Sequence, residues 1–300
     1  MAAMARFSLP TTAVAVLMAA VSPLAVSLAP PLMPAALAQQ SPWGSPEEPF
    51  TGPRSRLAKN WQGVRPVAAS TAILVMPGHA DSQGFGGGAS GAAVAVAGAR
   101  PMDPTISDEL YWNLATVEAV VRLGQARGLN IRSYDPGIRR IASGDDPRTT
   151  WSVGRAHVQS GGYAFEIHYD AHGSVGVGSG LIPPLKGQPS QIDESLAAEF
   201  GAFPLWFRDG LGAPKRGIAI LEIGKLEGQL ETRLRNPSTR QQTLDAIALR
   251  VVNALAQGLD GQRLVGGTEG QIALPPLSPP PDVVGSVLPV KDQQASPGAW

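Results

Sequence analysis

Apolar positions along the chain switch between two periods. Thr71–Met76 is a short unbroken apolar run stopped by Pro77-Gly78, which predicts a buried strand. About thirty Gly- and Ala-rich residues without a period follow, up to Asp108. Leu110, Leu114, Val117 and Val121 then repeat at helical spacing, with Ser107 suited to the N-cap, Asp108 and Glu109 to the first turn and Gly128 to the stop. Ile131–Tyr134 reads as a strand, Trp151–Ser160 as a helix closed by Gly161-Gly162, and Tyr163–Tyr169 as a further strand. A shorter helix is expected around Asp193–Phe200, and a buried strand over Gly217–Ile223. Leu244, Ile247, Ala248, Val251 and Leu255 mark a final amphipathic helix. Strands alternating with helices predict an α/β fold: one domain with a mostly parallel mixed sheet covered by helices on both faces, a three-layer sandwich.

The ends of the chain break these periods. Met1–Arg6 carries one cation, Phe7–Ala29 is apolar and uncharged, and Ala36-Leu-Ala38 has the small-x-small pattern of a cleavage site. Residues 1–38 are therefore expected to be a secretory signal peptide. Pro23, Pro30, Pro31 and Pro34 interrupt any spanning helix, so no stable membrane insertion is expected after cleavage. Residues 39–70, rich in Pro, Gly and Ser, read as a linker, 71–262 as the folded domain, and 263–300 as a Pro-rich disordered tail.

Charge narrows the partners. The chain of 300 residues holds 24 basic and 24 acidic side chains, and no Lys/Arg cluster of the kind phosphate binding needs, so no nucleic-acid partner is expected. With no cysteine, disulfides and thiolate metal sites are excluded.

In such sheets a ligand sits outside the carboxyl ends of the strands. His79 follows the first strand, His168 lies near the end of the Tyr163 strand, Glu222 near the end of "GIAILEI", and Glu109 opens the long helix. The strand period of two puts Glu166, His168 and Asp170 on one face and Phe165, Ile167 and Tyr169 on the other. A stripe of ionisable groups is costly to bury unpaired, so it should face a cleft or be neutralised by a metal. On the face of Glu222 lie Ile218 and Ile220; burial there raises a carboxyl pKa and suits a general base. Two histidines and a carboxylate with one open position are the usual shell of a catalytic zinc, and these residues could supply one, although 79, 109 and 168 form no local motif and ordinary polar positions remain the other reading. Gly84-Phe-Gly-Gly-Gly-Ala89 fits a dinucleotide pattern, but lies five residues past the strand and in a chain with 35 glycines, so no nicotinamide cofactor is expected; a lid, an active-site rim or a solvated loop are the readings for it. His157 reads as a hydrogen-bonded structural histidine and His172 as a residue at the cleft edge.

The order of these residues resembles the zinc-dependent N-acetylmuramoyl-L-alanine amidases that trim bacterial cell walls, over about Thr71–Gly261. "ILVMPGH" is similar to the family's first strand ending in Gly-His, and "ELYWNLA" with "RLGQARGLNI" to its Glu-x-x-x-Asn-Leu helix. "GRAHVQSGGYAFEIHYDAH" is similar to the segment that ends in a Ser-Ile-His strand, "DESLAAEF" to the Ser-x-x-Leu-Ala helix, and "GIAILEIGKLEG" to the strand carrying the catalytic glutamate. The resemblance implies one Zn2+ held by His79, Glu109 and His168, with Glu222 as the catalytic residue. It also implies peptidoglycan or a wall-derived peptide as partner and the periplasm or cell envelope as location. The chain departs from the family pattern at His157, Glu166, Asp170, Lys225 and Gly228 and in a longer loop after His79. Much of what surrounds the ligands and base is therefore changed, and Glu166, Asp170, His157 and His172 are candidates for substrate contact or for support of the ligands. A related zinc peptidase or amidohydrolase with another substrate, and a non-catalytic wall-binding protein that keeps the fold, are the alternatives.

Overall fold

The computed structural model describes residues 47–48, 51–85 and 88–259. The expected signal peptide and Pro-rich tail lie outside the described residues. In chain order the elements are β1 (Glu47–Glu48), β2 (Gly52–Pro53), β3 (Ile73–Pro77), α1 (Ala92–Ala95), α2 (Asp108–Ala126), β4 (Ile131–Ser133) and α3 (Thr150–Gln159). They continue with β5 (Tyr163–Asp170), β6 (Gly180–Ile182), α4 (Gln191–Phe200), α5 (Gly212–Lys215), β7 (Ala219–Lys225), α6 (Gly228–Arg235) and α7 (Pro237–Leu259). Five strands form one sheet in the order β4-β3-β5-β7-β6, parallel except for β6 at the edge. The architecture is the expected α/β sheet between two helical layers. Among the described residues, no helix is long and apolar enough to cross a membrane.

Local sequence sets the boundaries. Ser107 caps α2 by accepting the Leu110 amide, and Gly128 takes a left-handed φ of 83° where the chain leaves it. α4 begins with a reciprocal capping box between Ser190 and Asp193. The three-residue β6 is too short to show a period and is followed by Pro183-Pro184, which is why the pattern of the chain does not announce it. Within the segment expected as a linker, residues 51–70 pack on the body. Trp61 and Val67 are buried in the main core, the Trp61 indole donates to the Phe203 carbonyl at 2.8 Å, and the Gly63 amide donates to Glu194 at 2.7 Å.

The period of two in the strands divides the core. Ile73, Val75, Phe165, Ile167, Tyr169, Leu221 and Ile223 face α2, α4 and α7, whereas Leu74, Met76, Ala164, Ile218 and Ile220 face α3 and α5. Gly154 lets α3 lie against the sheet, since a Cβ there would meet Ile218 at 2.6 Å and Met76 at 2.7 Å. From β3 the chain crosses by α2 on one face to β4, then returns by α3 on the other face to β5, on the opposite side of β3. The direction of winding reverses between β3 and β5, and their carboxyl ends part to form a crevice.

Candidate metal centre

The crevice is where His79, Glu109 and His168 meet. His79 leaves β3 through Gly78 with a left-handed φ of 61°, a conformation that costs on the order of 1–3 kcal/mol in a residue with a side chain. Its backbone is held on both sides. The Gly78 amide donates to the Ile167 carbonyl at 2.9 Å, and Asn113 of α2 donates to the Gly78 carbonyl at 3.0 Å. Position 78 must be glycine, because a Cβ would lie 2.2 Å from the His168 ring. Glu109 sits in the first turn of α2, where the helix dipole favours an anion. The Ala89 amide donates to its Oε2 at 2.7 Å, which leaves Oε1 to the two imidazoles.

The three ligand atoms lie within 4.8 Å of one another. Glu109 Oε1 is 3.3 Å from His79 Nε2 and 3.2 Å from His168 Nδ1, and the two rings meet edge to face at 4.8 Å between centroids. Each imidazole turns its second nitrogen to an acceptor: His79 Nδ1 lies 3.5 Å from Ser82 Oγ, and His168 Nε2 lies 3.3 Å from Glu166 Oε2. Burial opposes the charge on Glu109, but the adjacent His79 and His168 outweigh it and hold the carboxyl well below the usual range. Burial likewise opposes charge on His168, yet its bonds to Glu109 and Glu166 raise its pKa well above that of a free imidazole.

Glu222 stands beside this group. It pairs in register with His168 across β5 and β7, and its Oε2 is buried without a hydrogen-bond partner among the described residues. Burial pushes its pKa up to about 8, with His168 pulling it down, Glu109 and Asp170 adding to the rise, and Arg208 again lowering it. A cavity of about 360 Å³ opens over His79, Glu166, His168 and Glu222, with Trp151 and Arg208 also in its lining. Two imidazoles and one carboxylate, converging on a cavity and backed by outer acceptors, fit the donor set of a zinc ion with an open position.

The other expected residues go elsewhere. A bulge between His168 and Asp170 breaks the register of β5 with β7, and the Asp170 carboxylate accepts the amides of Ala171 and Gly178 at 2.8 Å and of Val177 at 2.5 Å. It shapes the loop after β5. His172 Nδ1 lies 3.1 Å from the Ser90 carbonyl on an exposed loop, and His157 Nε2 lies 2.9 Å from the Ala72 carbonyl beneath the sheet. Neither reaches the cavity. The Gly-rich segment is tied at both described ends, since Gln83 donates to the His79 carbonyl at 3.0 Å and accepts the Ser107 amide at 2.9 Å. Its Ser82 and Phe85 line the cavity.

Three residues of the cleft escape the reading of the sequence. Asp81 accepts the Thr150 amide at 2.7 Å, fastening the start of α3 to the loop after β3, and its carboxyl pKa is raised by burial. Asp81 and Ser82 follow His79 in the loop that the end of β3 makes functional, which was signal enough to include them. Arg208 comes from an irregular segment with φ of 50°, flanked by Trp206 and Asp209 at 61° and 58°, and no local pattern marks it.

No protein-family model matches the chain, and no curated protein matches it in sequence. Among solved structures it is similar to the catalytic domain of CwlV, an N-acetylmuramoyl-L-alanine amidase from Bacillus (Paenibacillus) polymyxa var. colistinus. The two share 14% identity over 64% of this chain and 98% of that one, with a TM-score of 0.41. It is similar as well to an N-acetylmuramoyl-L-alanine amidase from Clostridium difficile 630, at 12% identity over 65% and 100% of the two chains and a TM-score of 0.41. The apo form of the amidase Ami1 from Mycobacterium abscessus gives 16% identity over 64% and 98%, with a TM-score of 0.40.

Proposed function

We propose that this chain is an exported zinc hydrolase that cleaves an amide bond, the N-acetylmuramoyl-L-alanine bond of peptidoglycan. The observation behind the reading is the convergence of His79, Glu109 and His168 within 4.8 Å beside Glu222, whose Oε2 has no hydrogen-bond partner among the described residues, in a cavity at the point where the sheet reverses its winding. The motif order from "ILVMPGH" to "GIAILEI" supplies the substrate class.

His79, Glu109 and His168 would hold the metal. Zinc, when bound, supplies Lewis acidity towards a carbonyl oxygen and towards water. Glu222 takes the proton of the attacking water and delivers it to the leaving amide nitrogen, so the acyl–nitrogen bond breaks as an amine departs. With burial pushing its pKa up to about 8, the Glu222 carboxyl holds its proton at neutral pH in the metal-free fold, and a cation held by the three ligands would favour its basic form. Trp151 and the arginine at 208 wall the cavity and limit the water around the scissile group. The largely apolar residues 1–38 ending in Ala36-Leu-Ala38 support the reading of export to the periplasm or cell envelope.

The test is metal content and product release with purified full chain. Stoichiometric zinc is expected, and peptidoglycan should gain free alanine amino groups with wild type while Glu222→Gln retains zinc and loses at least about 100-fold in rate. Bound zinc with no new amino groups from wall material would reject the peptidoglycan substrate. Absence of zinc binding would reject the metal centre as well.

A further inference from the structure

Glu166 has no use in the reaction just described, yet it occupies a costly position. It is 3% exposed on the central strand, with Met76 opposite it on β3 and Ile220 opposite it on β7. An apolar side chain would fit between those neighbours, and a carboxylate there must be satisfied to be tolerated. One oxygen, Oε2, lies 3.3 Å from His168 Nε2; the other, Oε1, is buried without a hydrogen-bond partner among the described residues. The geometry of β5 puts the two side chains within reach, because residues two apart share a face. Gly78 packs against the Cε1 and Nε2 atoms of the same ring, where even a methyl group would come within 2.2 Å, so the Nε2 edge is closely confined.

The two ring nitrogens of His168 therefore have fixed and different surroundings. Nδ1 faces Glu109 Oε1 at 3.2 Å and, through it, His79; Nε2 faces Glu166. A nitrogen that ligates a metal has to present its lone pair, so the proton of the neutral ring must sit on the other nitrogen and needs an acceptor. We propose that Glu166 is a positioning residue that accepts the Nε2 proton of His168, locks the ring in the tautomer with a bare Nδ1, and so sets the zinc affinity of the centre. This rests on the metal-centre reading above. Outer partners of this kind contribute about 10- to 100-fold in metal affinity.

The test measures zinc dissociation constants by competition with a chromophoric chelator for full-length wild type, Glu166→Ala and Glu166→Gln. Circular dichroism on each variant checks the fold. Glu166→Ala should weaken binding about 10- to 100-fold, and Glu166→Gln, whose amide oxygen can still accept the Nε2 proton, should recover most of the loss. Long-range 15N–1H correlation of the zinc-loaded wild type should show His168 with a protonated Nε2 and no proton on Nδ1. The inference is overturned if Glu166→Ala binds zinc within twofold of wild type, if Glu166→Gln is no better than the alanine variant, or if the protonated nitrogen is Nδ1. Zinc binding by wild type with any of these results sinks the role of Glu166 and leaves the metal centre standing; no zinc binding by wild type removes both.

Discussion

The two faces of β5 carry alternate residues of one peptide and have opposite fates. Phe165, Ile167 and Tyr169 point into the main core under α2 and α7, all at most 1% exposed, and the one polar group among them, the Tyr169 hydroxyl, bonds to Thr116 at 2.7 Å. Glu166 and His168 point the other way, also buried, but towards a cavity lined by ionisable groups. Backbone geometry is the same on both sides, so the difference comes from what covers each face. Long helices seal the first to its end, whereas on the second α3 and α5 cover Met76, Ala164 and Ile218 and leave the carboxyl ends of the strands open. The closed face contributes stability and the open face contributes chemistry, from residues one position apart.

Adjacent substitutions should therefore break different properties. Phe165→Ala removes a fully buried ring from the closed face and should cost about 3–5 kcal/mol of unfolding free energy. His168→Ala removes one of the three donors and should weaken zinc binding by more than about 100-fold, beyond the effect of losing an outer partner. Urea titrations with and without zinc separate the two: the Phe165 variant should keep a zinc-dependent rise in midpoint, and the His168 variant should lose that rise. A zinc response that disappears in Phe165→Ala and survives in His168→Ala would invert the assignment of the faces.

The closed face was legible in the sequence and the open one only in part. Period-two alternation in "YAFEIHYD" places Phe165, Ile167 and Tyr169 together without knowledge of the partner helices, because burial follows from the strand alone. The same period collects Glu166 and His168 but also places Asp170 with them, and a bulge after His168 redirects Asp170 to the amides of the next loop. Bulges depend on pairing with β7, about fifty residues away, and no local pattern encodes them. The rule that ligands sit beyond the carboxyl ends of the strands already collects His79 and His168, whereas the strand order that makes them neighbours is set by pairing, and Arg208 enters through a left-handed segment that no local pattern marks.

The open face should also make the metal-free protein sensitive to alkali. Glu222 has a folded pKa near 8, above its ordinary value of 4.5, so the folded state prefers its neutral form. Its stabilising contribution is complete below about pH 4.5 and is lost as pH rises through about 8. His168, raised in part by Glu222 itself, loses its contribution in the same direction, so the difference between wild type and Glu222→Gln reports the carboxyl together with its coupling to His168. In chelator-treated protein the melting temperature of Glu222→Gln should gain on wild type steadily between pH 5 and pH 8. Zinc should flatten this difference, since a nearby cation favours the ionised carboxylate. A constant offset across that pH range would show that Glu222 is not held neutral by the fold.

The smallest effect should come from the outer partner of the other histidine. His79 stands on a loop with its side chain 29% exposed, and Ser82 Oγ lies 3.5 Å from its Nδ1, at the limit of a hydrogen bond. Glu166, by contrast, is buried, with its Oε2 3.3 Å from His168 Nε2. Water can replace the Ser82 hydroxyl at a partly exposed ring, whereas Glu166 is buried on the central strand between Met76 and Ile220. Ser82→Ala is therefore expected to weaken zinc binding no more than about threefold, below the range for a buried partner. Measured with the same chelator competition, a loss in Ser82→Ala as large as that in Glu166→Ala would mean that burial does not decide which outer partner matters, and that the two histidines are held in equivalent ways.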